Sequence, residues 1–427
     1  MDAGGSENNQ IFVLDPKNGS SQMLSDGQSR NGGPLWEKNG SRIAYQSTRR
    51  NGQSNDVWMM DSKNIDSAEM ILESPDGTWW GPSDWSKDGK KILIQNYISI
   101  TNAKAYLLDI ESKKKEMILG SDSTESYNAI LSFDRSQKGV FFLTNEFGEF
   151  SQAWTLSLET GEPEVLVADD WDVMYVGYSP SGRYRVSGVN DDASTDVTLT
   201  DLATGDAVVL KNVPDGDLAQ VRFNRDETAI AFGLNRDTAP YDLYHMPLGG
   251  DAVQLTQALN PAINSDFMVE GEVVRFASYD GLQVPGILYK PREASADKPA
   301  PAMVWVHGGP GGQSRKGYSA TIQHLVNHGY AVYQINNRGS SGYGKTFYHL
   351  DDLKHGEADL GDVVASRAFL ASYDWIDGER VGIIGGSYGG YMVAAALAFE
   401  PDAFDVGVNI FGVTNWLRML ESISPWW

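Results

Sequence analysis

Short apolar runs recur through residues 1–258 with a period of 45 to 49 residues. Each copy begins with an aromatic residue and a turn rich in Ser, Asp and Gly, and the aromatic residues are Trp36, Trp85, Phe133, Tyr178 and Phe223. A β-rich run follows each turn, for example Lys91–Ile94. Short strands and turns at a period in the forties are typical of propeller blades, because one four-stranded blade cannot bury both of its faces alone.

The number of copies sets the architecture that we expect. Five copies predict five blades, and residues 11–24 resemble half of another. Because a closed ring needs that half blade to be completed, we expect additional sequence before residue 1. The repeated aromatic residues are interpreted as packing between neighbouring blades. Residues 1–258 are therefore predicted to form an all-β propeller with at least five blades, incomplete at its N-terminal end.

From Glu272 onward, strand-like and helix-like patterns alternate. The predicted strands are Val273–Ser278, Val284–Tyr289, Ala302–Val306, Tyr330–Ile335, Val381–Ile384 and Val406–Phe411, and the predicted helices are Thr321–His328, Asp359–Tyr373 and Tyr388–Phe399. This alternation indicates a mostly parallel sheet with helices on both faces. We predict that residues 259–271 are a connector and that residues 272–427 form this second domain.

Charge and composition exclude several classes of function. The net charge is −23; residues 266–427 hold 12 basic and 18 acidic residues, a balance of −6, which leaves −17 for the remainder. Acidity in both regions argues against nucleic acid and anionic membranes as partners. The chain has no Cys, which excludes disulfides and thiolate catalysis. No apolar run reaches the roughly 18 residues that a membrane-spanning helix requires.

The sequence Gly385-Gly386-Ser387-Tyr388-Gly389 matches the pattern G-x-S-x-G between a predicted strand and a predicted helix. In α/β-hydrolases this strand–turn–helix setting forms the nucleophile elbow. The turn holds the serine in a strained backbone conformation, and Gly385 and Gly389 avoid a collision at the start of the helix. The N-terminus of the helix adds a positive dipole end near a developing anion. We therefore predict that Ser387 is a catalytic nucleophile.

A second glycine-rich segment, His307-Gly308-Gly309-Pro310-Gly311-Gly312, directly follows the predicted strand Ala302–Val306. This is where α/β-hydrolases place the second donor of the oxyanion hole. We predict that the backbone N–H groups of Gly309 and Tyr388 form the pair. His307 is not predicted to be the catalytic base, because the base of this fold follows the nucleophile in the chain. It is interpreted as a residue that braces the loop.

Three other residues have weaker signals. His324 and His328 lie four residues apart on a predicted helix, a spacing that zinc sites use, but no third ligand is near them in sequence and no metal site is predicted. Arg338 either touches substrate or pairs with an acid of its own domain, and the structural role is favoured.

Taken together, the run from His307 to Pro310, the run from Arg338 to Gly344 and the run from Gly385 to Met392 resemble the prolyl oligopeptidase family of serine peptidases. The likeness is greatest to its acylaminoacyl-peptidase-like and dipeptidyl-peptidase-like branches, and it covers essentially the whole chain. The resemblance implies a β-propeller in front of an α/β-hydrolase domain, and cleavage of oligopeptides through an acyl-enzyme. It also implies that the propeller limits access by size and that no cofactor is needed.

The sequence contains no His after Ser387, and Asp402 and Asp405 come too early to be the acid of a triad. By the family pattern the triad Asp and His lie beyond the last predicted strand. We therefore expect the chain to be cut at both ends, to have negligible peptidase activity as given, and to expose an apolar sheet edge that favours aggregation.

Two alternatives remain open at this stage. One is a carboxylesterase on the same fold, although simple esterases lack a propeller. The other is a non-catalytic propeller scaffold with a degenerate hydrolase domain. The oligomeric state is left undetermined. The compartment is also left open: the cytoplasm is favoured, and a periplasmic or secreted location stays open if a signal peptide precedes residue 1.

Overall fold

The computed structural model describes residue 2 and residues 4–423. The chain divides into two compact units, Met1–Ala168 with Glu421–Trp427, and Asp169–Leu420. The predicted connector at residues 259–271 contains a 3-10 helix, Ser265–Phe267. The predicted domain boundary there stays a prediction. Among the described residues, every helix is too short or too polar to cross a membrane.

The first unit contains a two-stranded antiparallel sheet and three four-stranded antiparallel sheets within its described residues. The small sheet pairs β1 (Phe12–Leu14) with β2 (Ser21–Met23). The four-stranded sheets are formed by β3 (Asn31–Trp36), β4 (Arg42–Ser47), β5 (Asp56–Asp61) and β6 (Asn64–Leu72); by β7 (Trp79–Trp85), β8 (Lys91–Ser99), β9 (Asn102–Asp109) and β10 (Lys115–Leu119); and by β11 (Asn128–Phe133), β12 (Gly139–Thr144), β13 (Gln152–Ser157) and β14 (Pro163–Val167).

The second unit begins with two more sheets of the same kind. Their strands are β15 (Val173–Tyr178), β16 (Tyr184–Asp191), β17 (Ser194–Asp201) and β18 (Asp206–Ala207), and β19 (Asp217–Phe223), β20 (Ala229–Arg236), β21 (Ala239–Pro247) and β22 (Val253–Gln254). The described residues therefore contain five four-stranded sheets and one two-stranded sheet, which confirms the predicted blades.

Every aromatic residue of the repeat is the last residue of the first strand in its sheet. Trp85 is fully buried, and its indole N–H donates to the carbonyl oxygen of Leu35 in the preceding sheet at 3.2 Å. Tyr184 stacks on Phe223 of the following sheet with ring centroids 5.5 Å apart. These contacts support the interpretation of packing between blades. Trp36, however, is 46% exposed, so that interpretation is wrong for the first copy.

The second unit continues into a six-stranded sheet. Its strands are β23 (Glu272–Ala277), β24 (Gln283–Tyr289), β25 (Ala300–Val306), β26 (Ala331–Ile335), β27 (Ile376–Gly386) and β28 (Val406–Ile410), in the order β23-β24-β26-β25-β27-β28. The first hairpin is antiparallel and joins β26 antiparallel, whereas β26, β25, β27 and β28 run parallel. The helices are α1 (Ala320–Asn327), α2 (Gly344–Tyr348), α3 (Ala358–Ala371), α4 (Tyr388–Phe399) and α5 (Trp416–Ser422), with a 3-10 turn at His349–Asp351.

Helices cover both faces of this sheet. Val332 and Tyr333 are neighbours on β26, so their side chains point to opposite faces. Val332 packs in one apolar cluster with Ile322 and Val326 of α1. Tyr333 belongs to a second cluster, which also contains side chains of α3 and α4 such as Val363. The predicted fold class, a propeller followed by a mostly parallel α/β sheet, is therefore confirmed.

The edge strand β28 leaves apolar side chains in solvent. Val406 is 53% exposed and Val408 is 42% exposed. Phe411, immediately after the strand, is 83% exposed. An edge of this kind offers unpaired backbone groups beside apolar surface, which favours association with other chains. The expected aggregation stays a prediction.

Candidate active site

Ser387 lies between the end of β27 and the first residue of α4. Its backbone adopts φ 55° and ψ −119°, a combination that is strained for any residue other than glycine. The N–H of Ser387 donates to the carbonyl oxygen of Ile410 on β28 at 3.1 Å, and its own carbonyl oxygen accepts from the N–H of Tyr391 at 3.0 Å. The residue is exposed. Strand and helix therefore fix the backbone of Ser387 from both sides, while its side chain stays accessible.

The glycines around Ser387 are required by contacts between backbone segments. A Cβ atom at Gly385 would lie 2.4 Å from the carbonyl oxygen of Gly389, and one at Gly389 would lie 2.1 Å from the carbonyl oxygen of Val306. A Cβ atom at Gly390 would lie 2.7 Å from the Cα of Gly412. Backbone atoms cannot move aside as a flexible side chain can. The turn consequently forms only with glycine at these positions.

The segment His307–Gly312 lies beside Ser387. A Cβ atom on Gly308 would lie 3.4 Å from the Cβ of Ser387 and 3.9 Å from its Oγ. Gly309 follows with φ +141°, a backbone conformation that favours glycine. Among the described residues, no acceptor is recorded for the N–H of Gly309 or for that of Tyr388, the first residue of α4. The role of these two amides in an oxyanion hole stays a prediction.

The ring of His307 joins the 307–312 loop to the loop that contains Ser340. Among the hydrogen bonds of the described residues, none joins His307 to Ser387. Its Nε2 lies 2.8 Å from Ser340 Oγ, and its Nδ1 lies 2.9 Å from the carbonyl oxygen of Gly308. Burial lowers the pKa of His307, which favours the neutral ring. The hydroxyl of Ser340 donates its single hydrogen to the carbonyl oxygen of Asn337 at 2.6 Å, so Ser340 joins His307 to the segment that follows β26. These contacts support the interpretation of His307 as a loop-bracing residue.

Tyr388 contributes a side chain as well as a backbone amide to the elbow. Its hydroxyl donates to Oδ2 of Asp359, a fully buried carboxylate at the start of α3. The other oxygen of Asp359 accepts from the N–H groups of Gly356 at 2.7 Å and Leu360 at 2.9 Å. Burial raises the pKa of Asp359, and burial also raises the pKa of Tyr388. This contact, which the sequence analysis did not identify, ties the first residue of α4 to the first turn of α3.

Asp351, His355 and Asp359 form the one group of potential metal ligands in the part of the chain that the structure describes, with ligand atoms within 4.8 Å of one another. Each of the three side chains already has a hydrogen-bond partner inside the protein. His355 Nδ1 lies 3.1 Å from Asp351 Oδ2, and both oxygens of Asp359 accept from protein donors. The hydrogen bond to Asp351 raises the pKa of His355. We interpret the group as a hydrogen-bonded cluster behind the elbow.

Arg338 is 5% exposed and pairs with two carboxylates of its own domain. Its guanidinium donates to Asp362 at 2.8 and 2.9 Å and to Asp280 at 2.9 and 3.0 Å. These contacts support the favoured structural role. His324 and His328 stack with ring centroids 4.1 Å apart, and His328 Nδ1 lies 2.8 Å from the carbonyl oxygen of His324.

A general base for Ser387 is not found among the described residues: no histidine nitrogen is hydrogen-bonded to its Oγ, and the sequence has no His after it. Asp405 accepts from the N–H of Val381 at 2.8 Å and from Arg367 at 3.2 Å, so it holds the sheet edge together. The described residues thus present a candidate nucleophile and two candidate donors, without a hydrogen-bonded base at Ser387 Oγ.

Comparison with known families gives two matches. The family model "Prolyl oligopeptidase, N-terminal beta-propeller domain" matches residues 1–258. The model "Prolyl oligopeptidase family" of the peptidase domain matches residues 316–427. The first match alone covers more than half of the chain, and the second includes Ser387.

Curated relatives include peptidases from bacteria. The chain is similar to dipeptidyl aminopeptidase BIII of Pseudoxanthomonas mexicana, with 29% identity over 56% of this chain and 39% of that enzyme. It is also similar to the uncharacterized peptidase YuxL of Bacillus subtilis, with 24% identity over 95% of this chain and 76% of the relative. The matched region thus spans well under half of the first relative and about three quarters of the second.

Solved structures share the fold. A puromycin-hydrolyzing peptidase of Mycobacterium tuberculosis superposes with a TM-score of 0.85 at 16% identity, covering 99% of this chain and 68% of that one. At this identity the likeness establishes the fold alone. The two family matches carry the assignment further: this chain belongs to the prolyl oligopeptidase family.

Proposed function

We propose that the protein is a serine peptidase that hydrolyses peptide bonds of oligopeptides through an acyl-enzyme on Ser387. The observation that carries this proposal is the geometry of the elbow. Ser387 is exposed, its φ is 55°, and it stands between a buried strand and a helix N-terminus. A strained, exposed serine at this junction is the signature of a nucleophile elbow.

In the proposed reaction, Ser387 Oγ attacks the carbonyl carbon of the scissile peptide bond while a general base takes its proton. The negative charge that develops on the carbonyl oxygen is stabilised by the N–H groups of Gly309 and Tyr388. Collapse of the tetrahedral intermediate expels the amine, which receives the proton, and leaves an ester on Ser387. Water activated by the same base then hydrolyses this ester and restores the serine.

The placement of the two loops supports this assignment of roles. Gly308 lies against Ser387, so a carbonyl carbon that reaches Oγ also comes close to the backbone of the 307–312 segment. Both candidate amides are without a recorded acceptor among the described residues, which leaves them available to an anion. The helix N-terminus at Tyr388 adds a favourable dipole for negative charge.

The substrate class is proposed from the relatives. One of them is named a dipeptidyl aminopeptidase, and a structural neighbour is described as a puromycin-hydrolyzing peptidase. Both names describe peptidases. We therefore propose oligopeptides as substrates here. Whether cleavage occurs internally or near a terminus, and after which residue, is left open.

The sequence supplies no His after Ser387, and among the hydrogen bonds of the described residues none joins a histidine to Ser387 Oγ. We therefore propose that this chain by itself hydrolyses aminoacyl nitroanilides no faster than a Ser387→Ala variant does. A measurable rate that Ser387→Ala abolishes would instead show that a base already present, such as His307 or His355, serves Ser387.

The test of function uses the protein encoded by the full gene. Ser387→Ala is expected to reduce hydrolysis of aminoacyl nitroanilides by about a thousandfold or more. Ser372→Ala, an exposed serine at the end of α3, is the matched control and is expected to leave the rate unchanged. Turnover of nitrophenyl acyl esters without turnover of any aminoacyl nitroanilide would overturn the peptidase assignment and favour an esterase.

A further inference from the structure

Arg315 connects the α/β sheet region of the second unit to the two antiparallel sheets that precede it. Its guanidinium donates to Asn190 Oδ1, to Thr195 Oγ1 at 2.9 Å and to Asp217 Oδ2 at 3.2 Å. It also donates to Gln313 Oε1 at 3.1 Å. Asn190 lies on β16, Thr195 on β17 and Asp217 at the start of β19. One side chain therefore binds two successive blades.

A second anchor involves Gly317, two residues after Arg315, which binds the side chain of Asp237. Asp237, in the turn between β20 and β21, is only 4% exposed. Its carboxylate accepts from the N–H of Gly317 at 2.8 Å, the N–H of Gly271 at 3.0 Å and the hydroxyl of Tyr289 at 3.0 Å. Lys316 Nζ lies 3.8 Å from the same carboxylate. A buried carboxylate with three donors is strongly held, because each lost donor leaves buried charge uncompensated.

The backbones approach closely at these contacts. The N–H of Lys316 donates to the carbonyl oxygen of Ala193 at 2.9 Å. Gly317 has φ +150°, and a Cβ atom there would lie 2.5 Å from Asn235 Nδ2. Residues 313–317, here called the bridge segment, are therefore shaped to lie against the ends of the β16–β17 and β20–β21 hairpins.

The charges across this contact have a consistent direction. Three cations belong to the α/β region and three carboxylates belong to the blades, in the pairs Arg275–Asp192, Arg315–Asp217 and Lys316–Asp237. Two of these pairs come from the bridge segment, whereas Arg275 comes from strand β23. The Arg315–Asp217 and Lys316–Asp237 pairs therefore hold the bridge segment, and the Arg275–Asp192 pair does not.

The bridge segment begins immediately after the glycine loop that lies beside Ser387. Only two residues separate Gly312 from Arg315. The carbonyl oxygen of Gly312 accepts from the N–H of Ser341 at 3.0 Å, and the N–H of Ser314 donates to Asn336 Oδ1 at 2.6 Å. The short distance along the chain means that the position of Arg315 restricts the backbone of residues 308–312.

We propose that Arg315 is a positioning residue, and that through it the blades formed by β15–β22 hold the 307–312 loop in the geometry that presents its amides beside Ser387. The catalytic importance of this loop rests on the proposed function, but its dependence on Arg315 does not. Through Arg315, the two sheets of β15–β22 thereby also set the conformation of the 307–312 loop.

Hydrogen exchange measured by mass spectrometry on the 427-residue chain tests this proposal without any need for turnover. The amides of Gly312 and Ser314 are hydrogen-bonded, so their exchange reports on the loop. In Arg315→Met we expect exchange in peptides covering residues 308–314 to be about tenfold faster than in the wild type, because several charge-assisted hydrogen bonds are lost. Peptides covering β27 and α4 are expected to exchange as before.

Arg275→Met is the matched control, because it removes an Arg–Asp pair of 2.8 Å between the same regions without touching the bridge segment. Its exchange in residues 308–314 is expected to stay within about twofold of the wild type. Asp217→Asn removes the partner of Arg315 at a position 98 residues away in sequence and is expected to reproduce the loop effect. Adding Asp217→Asn to Arg315→Met is expected to give little further change, because coupled residues are not additive.

Unchanged exchange in residues 308–314 of both Arg315→Met and Asp217→Asn would overturn the proposal. Equal acceleration in Arg275→Met would also overturn it, because the effect would then arise from general loosening of the contact. If Arg315→Met does not fold, comparing the exchange rates of residues 308–314 in Asp217→Asn and Arg275→Met tests the proposal in the same way. Failure of Ser387→Ala to reduce hydrolysis would refute the proposed function and leave this exchange result standing.

Discussion

The two glycine-rich loops beside Ser387 are held in different ways. In the elbow, the glycines face other backbone segments, such as Gly389 against the carbonyl oxygen of Val306. In the 307–312 loop, a Cβ atom on Gly309 or Gly312 would also meet backbone of the loop itself, at 2.5 and 2.3 Å, and side chains from elsewhere add further fixed points, namely Ser340 against His307 and Arg315 against the blades. The elbow glycines are thus fixed by close contacts between backbone segments, whereas the loop is also held by side-chain hydrogen bonds that come from elsewhere in the chain.

This difference has a consequence for substitutions. A change in the elbow forces backbone atoms together and acts on folding directly. A change near the 307–312 loop removes a support and acts mainly on position.

The first prediction concerns Gly389→Ala. Its new Cβ would lie 2.1 Å from the carbonyl oxygen of Val306, and neither backbone can yield easily. We expect the free energy of unfolding to fall by about 3 kcal/mol or more, as for severe overpacking. Gly308→Ala is the control, because its Cβ meets its neighbours at 3.3 Å or more, and it is expected to lose less than about 1 kcal/mol. Urea unfolding measures the free energy of unfolding of both variants. Similar losses in Gly389→Ala and Gly308→Ala would contradict the contrast between the elbow and the loop.

The second prediction concerns Tyr388→Phe. The variant removes the hydroxyl that donates to the buried carboxylate of Asp359 and leaves one of its oxygens without that donor. We expect a loss of about 1–3 kcal/mol in the free energy of unfolding. Tyr391→Phe is the control, because its hydroxyl contacts a neutral group, the carbonyl oxygen of His355 at 3.5 Å, in place of a buried carboxylate. Equal stability of the two variants would show that Asp359 does not anchor the elbow helix.

The third prediction concerns Ser340→Ala, which removes the partner of His307 Nε2. We expect a loss of about 1–2 kcal/mol in the free energy of unfolding, because the variant also removes the hydrogen bond of this hydroxyl to the carbonyl oxygen of Asn337. Nuclear magnetic resonance of the His307 ring should also show a changed tautomer population, since Nδ1 alone then retains a partner. An unchanged ring spectrum would mean that Ser340 does not brace the loop.

The fourth prediction is a pH dependence at His355. The hydrogen bond to Asp351 raises the pKa of His355 above its ordinary value of 6.5. A raised pKa in the folded state means that the stabilisation is fully present below that ordinary value and is lost as the pH rises through the folded-state pKa. We therefore expect His355→Gln to lower Tm more at about pH 5.5 than at about pH 9. A larger decrease in Tm at the higher pH would contradict the raised pKa of His355.

The elbow could be predicted from the sequence because its determinants are contiguous. Strand, Gly385, Ser387, Gly389 and helix follow one another, and the predicted helix Tyr388–Phe399 has the observed bounds. The blades were also predictable, since the repeat places an aromatic residue at the same strand end each time. Local patterns sufficed wherever neighbours in sequence supplied the contacts.

The side-chain supports of the elbow helix and of the loop could not be predicted, because they join residues far apart in the chain. Asp359 and Tyr388 are 29 residues apart, and Ser340 and His307 are 33 apart. Arg315 and Asn190 are separated by 125 residues. Asp, Ser and Arg at such positions have no local signature that distinguishes them from surface residues. The short helices α2 and α5 were missed for a related reason, since fewer than eight residues give too little periodicity.

The most direct test of the central claim is active-site labelling of the protein encoded by the full gene with a fluorophosphonate, followed by peptide mapping. A fluorophosphonate forms a stable adduct with an activated serine, so we expect one adduct on the peptide that contains Ser387 and none in Ser387→Ala. Hydrolysis of an aminoacyl nitroanilide by a protein that is labelled at another residue, or that stays active as Ser387→Ala, would contradict the account.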